Sequence, residues 1–396
     1  MLLKIGKLQE TNKNLEHELH MIKNDKLNEK QNKANNIDKK FNILLNPKIL
    51  EINKLKRGLK KDILDYRNFI KSKIVAFNPI NQKIVQNLQN NINKINSNYK
   101  AKLYGSRATN LCLMWSDIDI VINYENPKKI ENASETWEED PSEEERIDDN
   151  FLDKLNKELN NDISFVESIK YLNKAKVPII KIKTTIEYNH TMVDITLKTK
   201  DHFGLKCVKL IKNYLEKYEA LEALIFPLKT ILKVGELNDP YNGGLSSYAL
   251  ILMIVYFLEN QKKLNKNIGI DNIGHLFYDF LFFYGGRKDT NHIDLNNKNK
   301  NKNLISNNCL IYILDPLNSN NNVGKASFKF IEVKIIFLLA LQIINEPCYC
   351  QCHYLEKKDD DNKYNINDDN IEHNYLNKIF FGLKRGKANS IMTENN

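Results

Sequence analysis

The sequence has 396 residues, 42% of them hydrophobic, and a formal net charge of +9. This length predicts two domains with additional tails, and the basic balance favours a polyanionic partner. No apolar run reaches the roughly 18 residues that cross a bilayer, which argues against a membrane protein. The isolated Cys112, Cys207 and Cys309 predict reduced thiols in an intracellular protein rather than a disulfide framework.

The N-terminal quarter of the chain is polar at first and then helical. Residues 1–48 are rich in Lys, Asn and Glu, and we interpret them as a polar low-complexity arm. Apolar residues then recur at three- and four-residue spacing, which predicts one helix around Leu59–Ile70 and a second over 79–95.

A predicted strand over 101–104 leads into a short motif with two acids. The turn at Gly105-Ser106 offers backbone N–H groups and a hydroxyl that suit a phosphate. Asp117 and Asp119 follow in an apolar strand, where alternate residues share one face. Two adjacent carboxylates repel each other unless a cation lies between them, and hard oxygen ligands favour Mg²⁺ or Mn²⁺.

A third acid lies in a later strand. Residues 125–149 are strongly acidic, and we interpret them as an exposed insert. Predicted strands follow around 165–171, 177–182 and 192–197, and the last carries Asp194 between two apolar residues. An acidic side chain in an apolar strand is costly unless it is paired, exposed or metal-bound, so Asp194 is a candidate third ligand.

The remainder of the chain is predicted to be mainly helical. The predicted helices cover 205–218, 220–235, 246–259, 273–284 and 328–344. Cys348, Cys350, Cys352 and His353 are too closely spaced for a tetrahedral zinc knuckle, which favours reduced thiols. The tail from 356 onward is expected to be disordered.

Taken together, Gly105-Ser106, Asp117-x-Asp119 and Asp194 resemble the catalytic signature of the DNA polymerase beta-like nucleotidyltransferase superfamily. Further motifs in the same order resemble the noncanonical poly(A) polymerases and their relatives, the terminal uridylyltransferases. These motifs are Ala175–Lys181, Asn242–Leu250, Leu314–Leu317 and Asn322–Ser327. The resemblance covers about residues 58–345.

The resemblance implies an α+β fold, in which a polymerase-beta-like domain with a mixed sheet precedes a mainly helical, PAP-associated domain. The expected divisions are the arm (1–48), helices packing on the helical domain (49–98), the nucleotidyltransferase domain (99–200, with the acidic insert 125–149), the helical PAP-associated domain (201–355) and the tail (356–396).

The resemblance also implies a reaction, in which AMP passes from ATP to an RNA 3′ end without a template. Two divalent ions, Mg²⁺ or Mn²⁺, would be held by Asp117, Asp119 and Asp194. The nucleotide would be bound by Gly105, Ser106, Lys229, Lys233, Ser247, Tyr248 and Asn322. Tyr248 would stack on the base, and the two lysines would contact the triphosphate.

Two other functions stay open. Adenine-preferring relatives tend to carry Asn or Asp just before the Val-Gly pair, so Asn322 favours ATP, whereas a His there is typical of uridylyltransferases. A UTP-dependent enzyme and an inactive RNA-binding scaffold are the alternatives. Family precedent implies a helicase or RNA-binding partner in RNA surveillance and a nuclear location, although a cytoplasmic one is also compatible. The oligomeric state is not indicated.

Overall fold

The computed structural model describes residues 49–125, 148, 150–175, 177–199, 202–287, 290–295, 310–345 and 375–394. The predicted arm, nearly all of the acidic insert and the Cys348–His353 cluster lie outside these residues. None of the described helices is long and apolar enough to cross a membrane.

The described elements alternate early in the chain and become mainly helical later. The helices are α1 (Ile49–Ile95), α2 (Gly105–Ala108), α3 (Phe151–Asn161), α4 (Gly204–Lys217), α5 (Glu219–Val234), α6 (Ser247–Lys263), α7 (Ile273–Gly286), α8 (Phe330–Asn345) and α9 (Tyr375–Glu394). The strands are β1 (Tyr99–Tyr104), β2 (Ile118–Tyr124), β3 (Val166–Leu172), β4 (Ile179–Thr184), β5 (Met192–Leu197), β6 (His292–Ile293), β7 (Tyr312–Asp315) and β8 (Asn318–Asn322).

A five-stranded mixed sheet forms the first domain, which we call the sheet domain. Its strand order is β1-β2-β5-β4-β3. Strands β2 and β5 are parallel, and the other neighbours are antiparallel. One face is apolar and packs on α3 and the end of α1, as the buried Ile120, Ile195, Leu155 and Leu88 show. The opposite face is therefore left for polar side chains.

The helical domain has a separate core. Helices α4 to α8 contribute most of its buried side chains, among them Phe226, Phe257, Phe280 and Phe337. A small sheet, in the order β6-β7-β8, packs beside α6 and was not predicted from the sequence. The predicted fold class, a mixed sheet with helices followed by a mainly helical domain, is confirmed.

The first long helix differs from the prediction. The two expected helices are one continuous helix, α1, with Pro79 inside it. Only its first half packs on the helical core, through residues such as Ile63 and Ile70, whereas Ile84 and Leu88 pack under the sheet. The helix continues past Pro79 because burial on both sides offsets the backbone hydrogen bond that proline lacks.

The expected disorder of the tail from 356 is wrong for residues 375–394, which form α9. Leu376, Ile379 and Leu383 recur at helical spacing and are buried against the helical core. The Asp62 carboxylate on α1 accepts a hydrogen bond from the Tyr375 backbone N–H at the start of α9. The polar composition of the preceding segment concealed this short apolar stripe in the sequence.

Candidate active site

A row of polar side chains crosses the open face of the sheet domain. Strand register places Tyr104 beside Asp119, Asp119 beside Asp194, Asp194 beside Lys181, and Lys181 beside Lys170. Side chains directly opposite each other in neighbouring strands lie on the same face. The parallel pairing of β2 and β5 thus brings Asp119 and Asp194 together across a long sequence separation.

The Gly-Ser turn lies directly against this row. Gly105 has a φ of +65° and packs so closely on the Asp119 carboxylate that a Cβ atom would collide with it. Glycine is therefore required here both for the backbone angle and for the close approach. Arg107 donates to the Ser116 carbonyl oxygen at 2.5 Å, and the Ser116 hydroxyl accepts from the Leu113 N–H at 2.9 Å, which holds the loop before Asp117.

The three carboxylates influence one another. Burial, followed by the nearby Asp194 and Asp117, raises the pKa of Asp119 to about 7. Burial and then Asp194 also raise the pKa of Asp117, while the charges of Lys181 and Lys233 lower it. Negative charge is thus concentrated at this point of the sheet, as it is at a cation site.

Asp194 has two different oxygen environments. Its Oδ2 atom forms an ion pair with Lys181, whereas its Oδ1 atom is buried and has no hydrogen-bond partner among the described residues. A buried carboxylate oxygen without a partner is costly, and a bound cation would remove that cost.

Asp117, Asp119 and Asp194 form the donor set for the divalent ions that the resemblance implies. As the side chains stand, no group of three His, Cys, Asp or Glu within the described ranges is arranged to hold a metal ion. The chemistry of the set nevertheless fits, because burial and then the Asp194 charge raise the pKa of Asp117 and of Asp119, and Asp194 keeps an unpaired buried oxygen. Asp117, Asp119 and Asp194 are the residues that would hold Mg²⁺ or Mn²⁺.

Two adjoining cavities lie between the domains. The polar cavity has a volume of about 250 Å³, and Asp117, Asp119 and Lys233 line it. The apolar cavity has a volume of about 190 Å³, and Tyr248 and Gly105 line it. Ser106, Lys229 and Ser247 line both cavities. A ligand with an apolar planar part and a charged part would fit across this shared wall.

The two predicted lysines lie one turn apart on α5 but in different surroundings. Lys229 is buried, its Nζ atom donates to the Leu111 carbonyl oxygen at 2.8 Å, and burial lowers its pKa to about 8. Lys233 is exposed on the wall of the polar cavity. Both side chains line the polar cavity from one helix face.

Tyr248 connects the apolar cavity to the small sheet. Its ring lines the cavity, and its hydroxyl donates to Asp315 Oδ1 at 2.9 Å. The buried Asp315 also accepts from the Leu317 N–H at 3.0 Å and from Asn321 Nδ2 at 2.9 Å. Asp315 therefore links the Tyr248 hydroxyl to β7 and β8 through its hydrogen bonds.

Asn322 is placed differently from the other predicted site residues. Its carboxamide oxygen accepts from the Ile313 N–H at 2.8 Å and the Gly324 N–H at 2.9 Å. It does not line either of the two cavities. The structure brings together the other predicted residues, whereas the assignment of Asn322 to the nucleotide stays a prediction.

Sequence reasoning missed four residues of this region. Lys181 and Asp315 lie inside motifs that were recognised, but their partners depend on strand register and on packing. Asn321 is adjacent to the asparagine that was singled out. Trp115 is 45% exposed and lines the polar cavity, and its position two residues before Asp117 was the available signal.

Known proteins resemble this chain in both sequence and fold. A family model, the central palm domain of mitochondrial-like poly(A) RNA polymerase, matches residues 59–216. Poly(A) RNA polymerase protein 1 of Saccharomyces cerevisiae is 25% identical over 302 residues, which cover 73% of this chain and 43% of that protein. The inactive non-canonical poly(A) RNA polymerase protein Trf4-2 of Drosophila melanogaster is 25% identical over 291 residues, 69% of this chain and 65% of that protein.

Among solved structures, the polymerase core of TRAMP, an RNA surveillance complex, matches with a TM-score of 0.53 and 21% identity. That match covers 67% of this chain and 79% of the other. The chain therefore has the fold of that polymerase core. The resemblance seen in the sequence is confirmed, because over most of its length the chain is similar to poly(A) RNA polymerases. It spans less than two thirds of the length of each of these two relatives.

Proposed function

We propose that this protein transfers AMP from ATP to the 3′ hydroxyl of RNA without a template, with release of pyrophosphate as the bond between the α- and β-phosphates breaks. The observation that carries the proposal is the pairing of Asp119 with Asp194 beside the Gly105-Ser106 turn, next to a cavity lined by Tyr248. Carboxylates, a phosphate-binding turn and an aromatic wall are the parts that nucleotidyl transfer needs.

The residues of the shared wall would bind the nucleotide. Ser106 and Ser247 offer hydroxyls to the triphosphate, and Lys229 and Lys233 offer positive charge. Tyr248 stacks on the base within the apolar cavity. This arrangement fixes the α-phosphate near the carboxylates, so that positioning contributes a large part of the acceleration.

The carboxylates would act on the RNA 3′ hydroxyl. When bound, divalent ions at Asp117, Asp119 and Asp194 supply Lewis-acid charge to the attacking and leaving oxygens. Asp194, whose Oδ1 atom has no partner among the described residues, would also take the hydroxyl proton.

The test is primer extension with each nucleotide supplied singly. Purified protein is incubated with labelled oligo(A) and ATP, UTP, CTP or GTP, in Mg²⁺ or Mn²⁺. We expect extension with ATP, and a loss of about a hundredfold or more in Asp117→Asn, because a lost metal ligand costs more than the 10- to 100-fold typical of its supporting residues. Extension with UTP alone would replace adenylyl by uridylyl transfer.

An inactive scaffold is the second candidate, because the Drosophila relative is named inactive. The complete set of Asp117, Asp119 and Asp194 argues against it here. Absence of extension with all four nucleotides, in protein that binds RNA and is folded by circular dichroism, would favour the scaffold.

The partners and the location are proposed at the same level. The match to the polymerase core of TRAMP, an RNA surveillance complex, favours a role in RNA surveillance, and family precedent adds a helicase or RNA-binding partner and a nuclear location. Imaging of the tagged full-length protein tests the location, and a purely cytoplasmic signal would reject a nuclear role.

A further inference from the structure

Strand β4 presents two lysines on the open face of the sheet in matched surroundings. Lys181 and Lys183 are two positions apart, so their side chains lie on the same face. Both side chains are 37% exposed, and each forms one ion pair with a carboxylate. Lys183 pairs with Glu167 at 2.6 Å, away from the candidate site, whereas Lys181 pairs with Asp194 inside it.

The Lys181 charge lies directly against the carboxylates of the site. It forms an ion pair with Asp194, and strand register places Asp194 beside Asp119. Asp194 is only 14% exposed, so water screens this interaction less than it screens a surface ion pair. Lys181 is therefore an electrostatic part of the site, although it lines neither of the two cavities.

A cation that binds Asp194 must share that carboxylate with the Lys181 ammonium group. One oxygen of Asp194 pairs with Lys181, and only Oδ1 is without a partner in the described part of the chain. A divalent ion at this carboxylate meets a positive charge at contact distance from the same group, which opposes binding. The same ammonium group donates to Oδ2 and so holds the carboxylate of Asp194, which strand register places beside Asp119.

We propose that Lys181 is a positioning residue that holds the Asp194 carboxylate and competes with a divalent cation for it. The inference rests on the proposed function only in placing that cation at the three carboxylates. Its consequence is that the chain weakens its own metal affinity in exchange for a preorganised third ligand. Removal of the charge at Lys181 should then tighten metal binding while it loosens Asp194.

The test measures metal binding without RNA or nucleotide. The full-length protein is titrated with Mn²⁺, and free Mn²⁺ is followed by electron paramagnetic resonance. We expect Lys181→Gln to bind Mn²⁺ roughly fivefold more tightly, the size of a partly exposed ion pair. Lys183→Gln removes an equally exposed charge from the same strand and should stay within about twofold of wild type.

Two further variants show whether the effect acts through Asp194. Lys181→Arg keeps the charge and should restore the wild-type Mn²⁺ affinity. In an Asp194→Asn background, Lys181→Gln should no longer tighten binding, because the shared carboxylate is gone. Lys181→Met, which keeps the aliphatic stem, serves as the second neutral variant if Lys181→Gln fails to fold.

The inference is overturned if Lys181→Gln leaves Mn²⁺ affinity unchanged or weakens it, or if Lys183→Gln tightens it equally. The outcome is separable from that of the proposed function. If wild type extends no RNA but Lys181→Gln still binds Mn²⁺ more tightly than wild type, the polymerase activity is refuted and the inference stands. If wild type extends RNA but Lys181→Gln does not change the Mn²⁺ affinity, the inference is refuted and the polymerase activity stands.

Discussion

Two neighbouring asparagines, Asn321 and Asn322, have different partners and should respond differently to mutation. The Asn322 side chain accepts from two backbone N–H groups, whereas Asn321 donates to Asp315, which holds Tyr248. We expect Asn322→Ala to lower the free energy of unfolding by about 1–3 kcal/mol, because both N–H groups lose their acceptor. Urea denaturation measures this loss.

Asn321→Ala is the control for Asn322→Ala, and we expect it to affect nucleotide binding rather than stability. Its side chain is exposed, so we expect a stability loss within about 0.5 kcal/mol. Because Asn321 supports Asp315 and hence the Tyr248 ring, the KM for the nucleotide should rise. If Asn322→Ala were fully stable and Asn321→Ala left the KM unchanged, the partners described here would not be those that matter in solution.

The buried ammonium group of Lys229 makes stability depend on pH. Burial lowers the pKa of Lys229 from 10.5 to about 8, so the folded protein holds this proton less tightly than the unfolded chain does. Stability linked to Lys229 therefore rises as pH increases between about 8 and 10.5. From pH 7.5 to 9.5 the wild type should gain about 2 kcal/mol relative to Lys229→Met.

Urea unfolding of both proteins at the two pH values provides the measurement. The comparison with Lys229→Met cancels the other titrating groups that the two proteins share. A pH-independent difference between them would show that the ammonium group is solvated in the folded state. Lys229→Met should also lose primer extension at every pH, because it removes charge from the wall shared by the two cavities.

At the residue level, the sequence was sufficient to predict the placement of side chains that depends only on local pattern. Asp117 and Asp119 share a face because strands alternate, and Gly105 is required by a turn with positive φ. The ion pair of Lys181 with Asp194 was not predictable, because it depends on which strands pair and in what register. The role of Asn322 was likewise hidden, since its partners are backbone groups brought close by the fold.

Among the elements, α9 is tested most directly at its first turn, where a side chain of α1 caps a backbone N–H group. Asp62 accepts from the Tyr375 N–H, and burial raises its pKa to about 6 in spite of that hydrogen bond. The folded state therefore holds the Asp62 proton more tightly than the unfolded chain, and stability linked to it falls as pH rises from 3.8 to about 6. Asp62→Asn keeps an acceptor without the charge and should be at least as stable as wild type at pH 7.5.

Asp62→Ala removes the cap altogether. We expect it to lower stability by about 0.5–2 kcal/mol at both pH 5 and pH 7.5. Amide hydrogen exchange over 375–384 should accelerate, because the first turn of α9 loses its acceptor. An Asp62→Ala protein with unchanged exchange in α9 would contradict the capping role.

Element boundaries were predictable where the apolar period was long and uninterrupted. Helices α5, α6 and α8 begin and end within a few residues of the prediction, since each carries a continuous apolar face. Strands β6 to β8 were missed because they are short and, in β8, made entirely of polar residues. Their existence depends on pairing with each other and packing beside α6, which no local pattern records.

On the scale of the whole molecule, α1 is the element that joins the two cores. Ile74 is buried in the helical core and Ile84 in the sheet core, while Asn78 and Pro79 between them are exposed. The cavities lie between the same two domains and take Ser106 from one and Ser247 from the other. An intact α1 should therefore make the two domains unfold together. It should also keep the two walls of the cavities in place relative to each other.

Asn78→Pro tests this coupling, because it adds a second proline beside Pro79 without removing a buried side chain from either core. A proline inside a helix costs about 3 kcal/mol, so we expect α1 to break there. Wild type should unfold in one transition. In Asn78→Pro the fluorescence of Trp115 and Trp137, both within residues 99–200, should change at a different urea concentration from the far-ultraviolet circular dichroism of the helical domain. Asn78→Ala keeps the helix and should retain the single transition, and coincident curves in Asn78→Pro would show that contacts other than α1 couple the domains.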